Sequence, residues 1–245
     1  MKSDVRVFAD VDELSLRAAE AAVRTINESV RSHGSFSVAL SGGNTPRTLY
    51  RLLSTRFRDQ IPWTKVHVFW GDERYVPLAD PQSNYRMARE MLDAVPCPAE
   101  NVHPMPTELP NPDIAAREYE KTVRSYFSKD WPHFDLVLLG LGEEGHTASL
   151  FPGSPALNET KRWVVAVKAP AEPPLRLTLT LPALTEAANI YVLVTGSNKA
   201  QALHHVLTGS PAPKIYPASG VRLAQGTVIW WVDRAAAALV LESAA

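Results

Sequence analysis

Between residues 10 and 33 the apolar positions Val11, Leu14, Ala18, Ala22, Val23, Ile26 and Val30 recur at the spacing of one helix face. Asp10 precedes the run with Glu13 three residues on, a capping-box start, and Gly34 supplies a stop. The pattern predicts a helix from Asp10 to His33. A short β-prone run, "FSVAL" (36–40), comes next, and after the break "SGGN" Thr45 is placed to cap a helix whose first position is Pro46. Strand, glycine turn and helix form the implied unit. The same alternation returns at "VHVFWG" (66–71) with a helix after Ser83, at "FDLVLLG" (134–140), and at "NIYVLVTG" (189–196) with a helix from Lys199 to Leu207. It closes with "TVIWWV" (227–232) and a last helix, while "WVVAVK" (163–168) and "RLTLTL" (176–181) are further strand candidates without an evident place.

Strands this apolar must hide both faces, and each parallel crossover needs a helix. The expected fold is therefore a single three-layer α/β/α domain over residues 1–245 with a mainly parallel, Rossmann-like sheet. The Pro-rich pieces 96–113 and 169–174 are short, flanked by core-like segments, and read as surface loops. No internal repeat or low-complexity tract interrupts the pattern.

Composition changes this picture little but narrows the partners. The chain of 245 residues is 45% hydrophobic and 21% charged, enough for a sizeable core. Lys plus Arg number 25 against 26 Asp plus Glu, so no overall positive field serves a nucleic acid or an anionic membrane, and any anion must be caught locally. Cys97 is the only cysteine, which excludes an intrachain disulfide and a thiolate metal site and fits a reducing, cytoplasmic setting. The first residues show no secretory leader, and no apolar run approaches the ~20 residues of a membrane span.

In open parallel sheets, ligands bind beyond the carboxyl ends of the strands. Four polar motifs fall there: "SGGNTP" after Leu40, "GDER" after Trp70, "GLGEEGH" after Leu139 and "TGSNK" after Val194. They lie on one edge and can converge. In the first, Gly42 and Gly43 allow close approach of an anion, Ser41, Asn44 and Thr45 add donors, and the following helix start points amides at negative charge. It lacks the Gly-Lys-Ser/Thr ending of a nucleotide P-loop, and a tight turn with a capped helix explains the same residues equally well. Lys199 and Arg176 are candidate cations for a phosphate, although each taken singly suits a solvated surface charge.

The stretch "GLGEEGH" matches the Gly-x-Gly-x-x-Gly pattern of a dinucleotide turn, but Glu143 and Glu144 stand where a pyrophosphate would arrive, and Pro152 and Pro155 interrupt any long helix. A turn that presents His146 fits better. An imidazole titrates near neutrality, so His146 can take and return a proton. The other six histidines, His33, His67, His103, His133, His204 and His205, form no metal-ligand spacing. In "GDERYVP", Asp72, Glu73 and Arg74 make either a local ion-pair cluster or, at a catalytic edge, a place where Arg74 holds developing negative charge. The serine of "HTASLF" is in no nucleophile elbow, which disfavours a serine hydrolase.

Taken together, "ALSGGNTPRTLY", "VFWGDERYVP" with "SNY" (83–85), "LGLGEEGHTASLFPGSPAL", "RLTLTLPAL" and "VTGSNKA" resemble the 6-phosphogluconolactonases, in that family's order and across most of the chain. The resemblance implies the sheet fold shared with glucosamine-6-phosphate isomerases/deaminases, hydrolysis of 6-phosphoglucono-1,5-lactone to 6-phosphogluconate in the pentose phosphate pathway, and no metal or organic cofactor. It implies His146 as general base, Arg74 as active-site arginine, Asp72 and Glu144 as neighbouring catalytic carboxylates, and the 41–45 loop with Arg176 and Lys199 as the phosphate-holding region. Glu144 stands where the family usually carries Asp. Three rivals stay open, the first two being an amino-sugar phosphate isomerase/deaminase, against which "TASLFPGSPALN" offers no carboxylate soon after His146, and a non-catalytic phosphosugar sensor. A dinucleotide-dependent dehydrogenase is the third and would bind NAD.

Overall fold

Five of the apolar runs and one edge strand of mixed pattern pair into one sheet. In the computed structural model, which describes residues 4–128 and 130–243, these are β1 (Asp4–Phe8), β2 (Phe36–Leu40), β3 (Val66–Trp70), β5 (Leu136–Gly140), β8 (Asn189–Val194) and β9 (Thr227–Asp233). Their order is β1-β9-β8-β5-β2-β3 and every pairing is parallel. Three more strands, β4 (Asp72–Arg74), β6 (Val164–Lys168) and β7 (Leu175–Leu179), make a separate antiparallel sheet in the order β4-β7-β6. This is where 163–168 and 176–181 belong. The expected α/β class with a mainly parallel central sheet holds, with that small sheet added.

Both faces of the large sheet are covered because its strands are apolar on both faces. All five residues of β2 are buried, and the core runs through Trp70, Phe69, Leu139, Ile190, Trp230 and Trp231. Helix α1 (Val11–His33) buries Leu14, Ala18, Ala22, Val23 and Ile26 as its spacing requires. Asp10 Oδ1 accepts from the amides of Asp12 and Glu13, and Glu13 reaches back to the Ala9 amide instead of the amide of Asp10. Gly34 ends the helix in the left-handed conformation at φ 87°. Next along the chain, α2 (Asn44–Ser54) packs against α1 and against α3 (Asn84–Leu92).

Two expectations are corrected. Helix α2 begins at Asn44 with Gly43 as its N-cap and no side-chain cap. The Thr45 hydroxyl instead bonds the Thr195 hydroxyl at 2.7 Å, so its partner lies across the sheet and not on its own helix. The Pro-rich stretch ends earlier than 113, because Asn111 caps α4 (Pro112–Tyr126) through bonds from the amides of Asp113 and Ile114. This helix anchors both sheets: the Tyr119 hydroxyl donates to Trp70 O and accepts the Trp70 amide, and Glu120 Oε2 accepts the amides of Trp163 and Val164. The remaining helices are α5 (Leu181–Thr185), α6 (Ala200–Leu207) and α7 (Ala238–Glu242), the last two packed on each other.

Gly71 passes the chain from one sheet to the other. Its amide donates to Leu40 O of the large sheet and its carbonyl accepts from Leu179 of the small one. The carboxyl ends of β2, β3, β5 and β8 therefore face the inner residues of β4 and β7.

Candidate active site

A cavity of about 180 Å³ lies at that junction, lined by Ser41, Gly42, Gly43, Asp72, Arg74, Asn84, Gly140, Leu141, Gly142, His146, Ala148, Arg176 and Lys199. Segments following four strands, together with β7, contribute to its lining. Of the residues singled out in the sequence, Ser41, Gly42, Gly43, Asp72, Arg74, His146, Arg176 and Lys199 meet here. Asn44 and Thr45 lie just outside, at the start of α2, and Glu144 stands behind His146.

The His146 turn shows what its glycines do. The Gly142 amide donates to His146 O, the Gly145 amide donates to Gly142 O, and Gly145 sits at φ 85°. A Cβ at 145 would also meet Tyr216 Cδ1 at 2.8 Å. No long helix follows; the next helical element is the single turn Pro155–Asn158. This is a sharp turn under a histidine, and the geometry of a dinucleotide loop is missing. Glu144 Oε1 lies 3.0 Å from His146 Nδ1 but out of line with the ring N–H, so the contact is electrostatic without a directed hydrogen bond. Burial works against ionisation of Glu144, yet its own backbone amide, His146 and Lys199 outweigh it and hold the carboxyl below the usual range. The longer stem of Glu144 thus still reaches the imidazole.

The opposite wall is cationic. In the β4–β7 register Arg74 stands directly across from Arg176, and like charges so placed repel. Arg176 is 7% exposed, and burial and then Arg74 pull its guanidinium below its ordinary value, against Asp72 and Glu73. Arg74 Nη1 donates to Gln82 O at 2.7 Å and Arg176 Nε to Pro173 O at 3.0 Å, while Arg74 Nε has no partner. Lys199 reaches Glu143 at 3.9 Å, and Asn198 holds the same carboxylate oxygen at 2.7 Å. Two arginines and a lysine around a small cavity, with only Asp72 among its lining as a carboxylate, suit a dianion.

Asp72 is 6% exposed and its Oδ2 accepts the Ser149 hydroxyl at 2.7 Å. Ser149 belongs to the segment after His146, so this bond ties the arginine strand to the histidine turn. On the cradle side, the Tyr50 hydroxyl donates to Ser41 O and accepts the Ser41 amide, leaving Ser41 Oγ without a protein partner. Gly42 is required because Asn84 Oδ1 would lie 2.0 Å from a Cβ there.

Asn84 and Ala148 are wall residues that lie within the quoted motifs "SNY" and "LGLGEEGHTASLFPGSPAL", which assign them no role. Asn84 follows the N-cap Ser83, whose hydroxyl accepts the Arg86 amide, and this capping signal next to "GDER" marks it in retrospect. Ala148 adopts φ 48°, a backbone state with no signal in an alanine. Among the described residues no cluster of three or more His, Cys, Asp or Glu is arranged to hold a metal, and no helix is long and apolar enough to cross a membrane.

The family model described as glucosamine-6-phosphate isomerases/6-phosphogluconolactonase matches residues 9–230, which include every residue of this cavity. The chain belongs to that family. A 6-phosphogluconolactonase from Synechocystis sp. is 41% identical over 240 residues, 96% of this chain and 98% of the relative. One from Mycobacterium tuberculosis is also 41% identical, over 97% of this chain and 98% of its own. The solved 6-phosphogluconolactonase of Trypanosoma brucei superposes with a TM-score of 0.86 at 32% identity, over 97% of this chain and 98% of that one. Membership of the glucosamine-6-phosphate isomerase/6-phosphogluconolactonase family accounts for the parallel sheet and for the order in which the motifs occur.

Proposed function

We propose that this chain hydrolyses 6-phosphoglucono-1,5-lactone to 6-phosphogluconate, the lactonase step of the pentose phosphate pathway, as its relatives' names indicate for them. The observation that carries the reading is the meeting of one imidazole with three cations and a glycine cradle around a single small cavity. Ser41, Gly42 and Gly43 hold the 6-phosphate with Arg176 and Lys199, and this fixes the lactone carbonyl near His146. Nδ1 is turned toward Glu144, which leaves Nε2 to take a proton from water as the water oxygen bonds to C1. Arg74 stabilises the oxyanion that forms on the carbonyl oxygen. When the C1–ring oxygen bond breaks, the imidazolium returns its proton to that oxygen, giving the C5 hydroxyl and a carboxylic acid that ionises into solvent. Each proton and electron pair is accounted for by the chain, the lactone and one water. Asp72, fixed by Ser149, orients a substrate hydroxyl.

A positioned general base supplies ~10²–10⁴ in rate, enough for an activated ester with modest electrostatic help. The test is acid release from freshly prepared 6-phosphogluconolactone, corrected for its spontaneous opening, run beside ammonia release from glucosamine 6-phosphate. Lactone turnover without ammonia supports the proposal. Ammonia release, or binding of 6-phosphogluconate with no lactone turnover, contradicts it.

A further inference from the structure

The second carboxylate of the "GDER" segment, Glu73, has no part in the chemistry above. Glu73 is 1% exposed, and no Lys, Arg or His nitrogen of the described residues lies within ion-pair distance of it. Burying a carboxylate without a cation is costly unless hydrogen bonds compensate it. It accepts four bonds: Oε1 from the amides of Arg74 and Asn84, both at 2.7 Å, and Oε2 from the Tyr85 amide at 2.7 Å and the Ser83 hydroxyl at 3.1 Å. Burial pushes the carboxyl up to about 7, against the pull of those amides.

Alternation along β4 sends Asp72 and Arg74 to the face lining the cavity and Glu73 to the opposite one, where the amino end of α3 arrives. Three consequences meet at the cavity wall. Asn84 is held so that its Nδ2 donates to Asp72 O at 2.9 Å and its Oδ1 covers Gly42. Gln82, just before the held turn, accepts Arg74 Nη1. The Arg74 amide is fixed by the same carboxylate.

We infer that Glu73 is a positioning residue, which locks the 82–85 turn to β4 and so sets Arg74, Asn84 and Gly42 as one anion-binding wall. It touches no substrate. This rests on the lactonase reading of the cavity, and the experiment separates the two.

Glu73→Gln keeps the volume, but its Nε2 meets the Tyr85 amide donor to donor. KM for the lactone and the Kd for 6-phosphogluconate by calorimetry should each rise tenfold or more through the Asn84–Gly42 part of the wall, and kcat should fall through Arg74. A fraction of misfolded enzyme lowers kcat but cannot move KM or Kd. Ser83→Ala removes one of the four bonds and should change KM by less than threefold. Asn84→Ala, which takes away the group that Glu73 carries to Gly42, should raise KM as Glu73→Gln does, and it decides the question where Glu73→Gln does not fold. Wild-type turnover with KM unchanged within twofold in either variant overturns the inference alone. A wild-type protein that opens no lactone overturns the functional reading instead.

Discussion

The imidazole of His146 occupies the space that any side chain at position 142 would need: a Cβ on Gly142 would lie 1.9 Å from Nδ1 and 2.2 Å from Cε1. The neighbour is a ring fixed by its own turn and packed on Phe151 at 4.4 Å between centroids, so it cannot give way without leaving the cavity wall. Gly142 is thus part of the device that presents the histidine.

Gly142→Ala should lower kcat/KM by about 10²-fold or more, the scale on which a displacement of about 1 Å costs rate. The fold should survive, since the change is confined to the turn. Circular dichroism and lactone turnover together check this. Activity within threefold of wild type would mean that the ring does not work from this position.

The Arg74–Arg176 pair trades stability for binding. Arg176→Met removes the buried member of two facing cations, so the thermal midpoint should stay equal or rise, while KM for the lactone rises tenfold or more. Parallel melting curves and kinetics test it. A lower melting point with KM unchanged would make Arg176 a structural residue.

How much of this was legible before the structure depends on where each signal comes from. Helix α1 carries its stripe and caps within its own residues, and β2, β3, β5, β8 and β9 are apolar because both their faces are buried. Strand β1 carries no such signal, because it is an edge strand with the mixed pattern Asp-Val-Arg-Val-Phe, half-exposed along its length. Strand β4 has three residues and exists only through its pairing with 176–178, about a hundred positions away, which no local pattern encodes. Convergence of the four loops followed from parallel topology alone. Glu73 and Asn84 did not follow, because their roles rest on the contact between α3 and β4.

Acid should weaken the fold through His103. Burial, and then His67, hold its imidazole down to about 4 from its ordinary 6.5, and its ring stacks on Phe69 at 4.3 Å. Between those two values the unfolded chain binds a proton that the folded chain does not, so stability falls as pH drops from 6.5 toward 4. Discounted for its partial exposure, the effect is on the order of 1–2 kcal/mol. Urea midpoints at neutral and mildly acid pH, compared between wild type and His103→Phe, read it directly. The variant should lose part of the acid-side decline, and identical declines would contradict the assignment.

The central claim is that His146 activates water in this cavity. Purified wild-type and His146→Ala proteins, assayed for acid release from fresh 6-phosphogluconolactone with spontaneous opening subtracted, give the most direct answer. The account predicts that the variant stays folded, still binds 6-phosphogluconate, and loses ~10²–10⁴ in kcat. A variant that opens the lactone at the wild-type rate would contradict it.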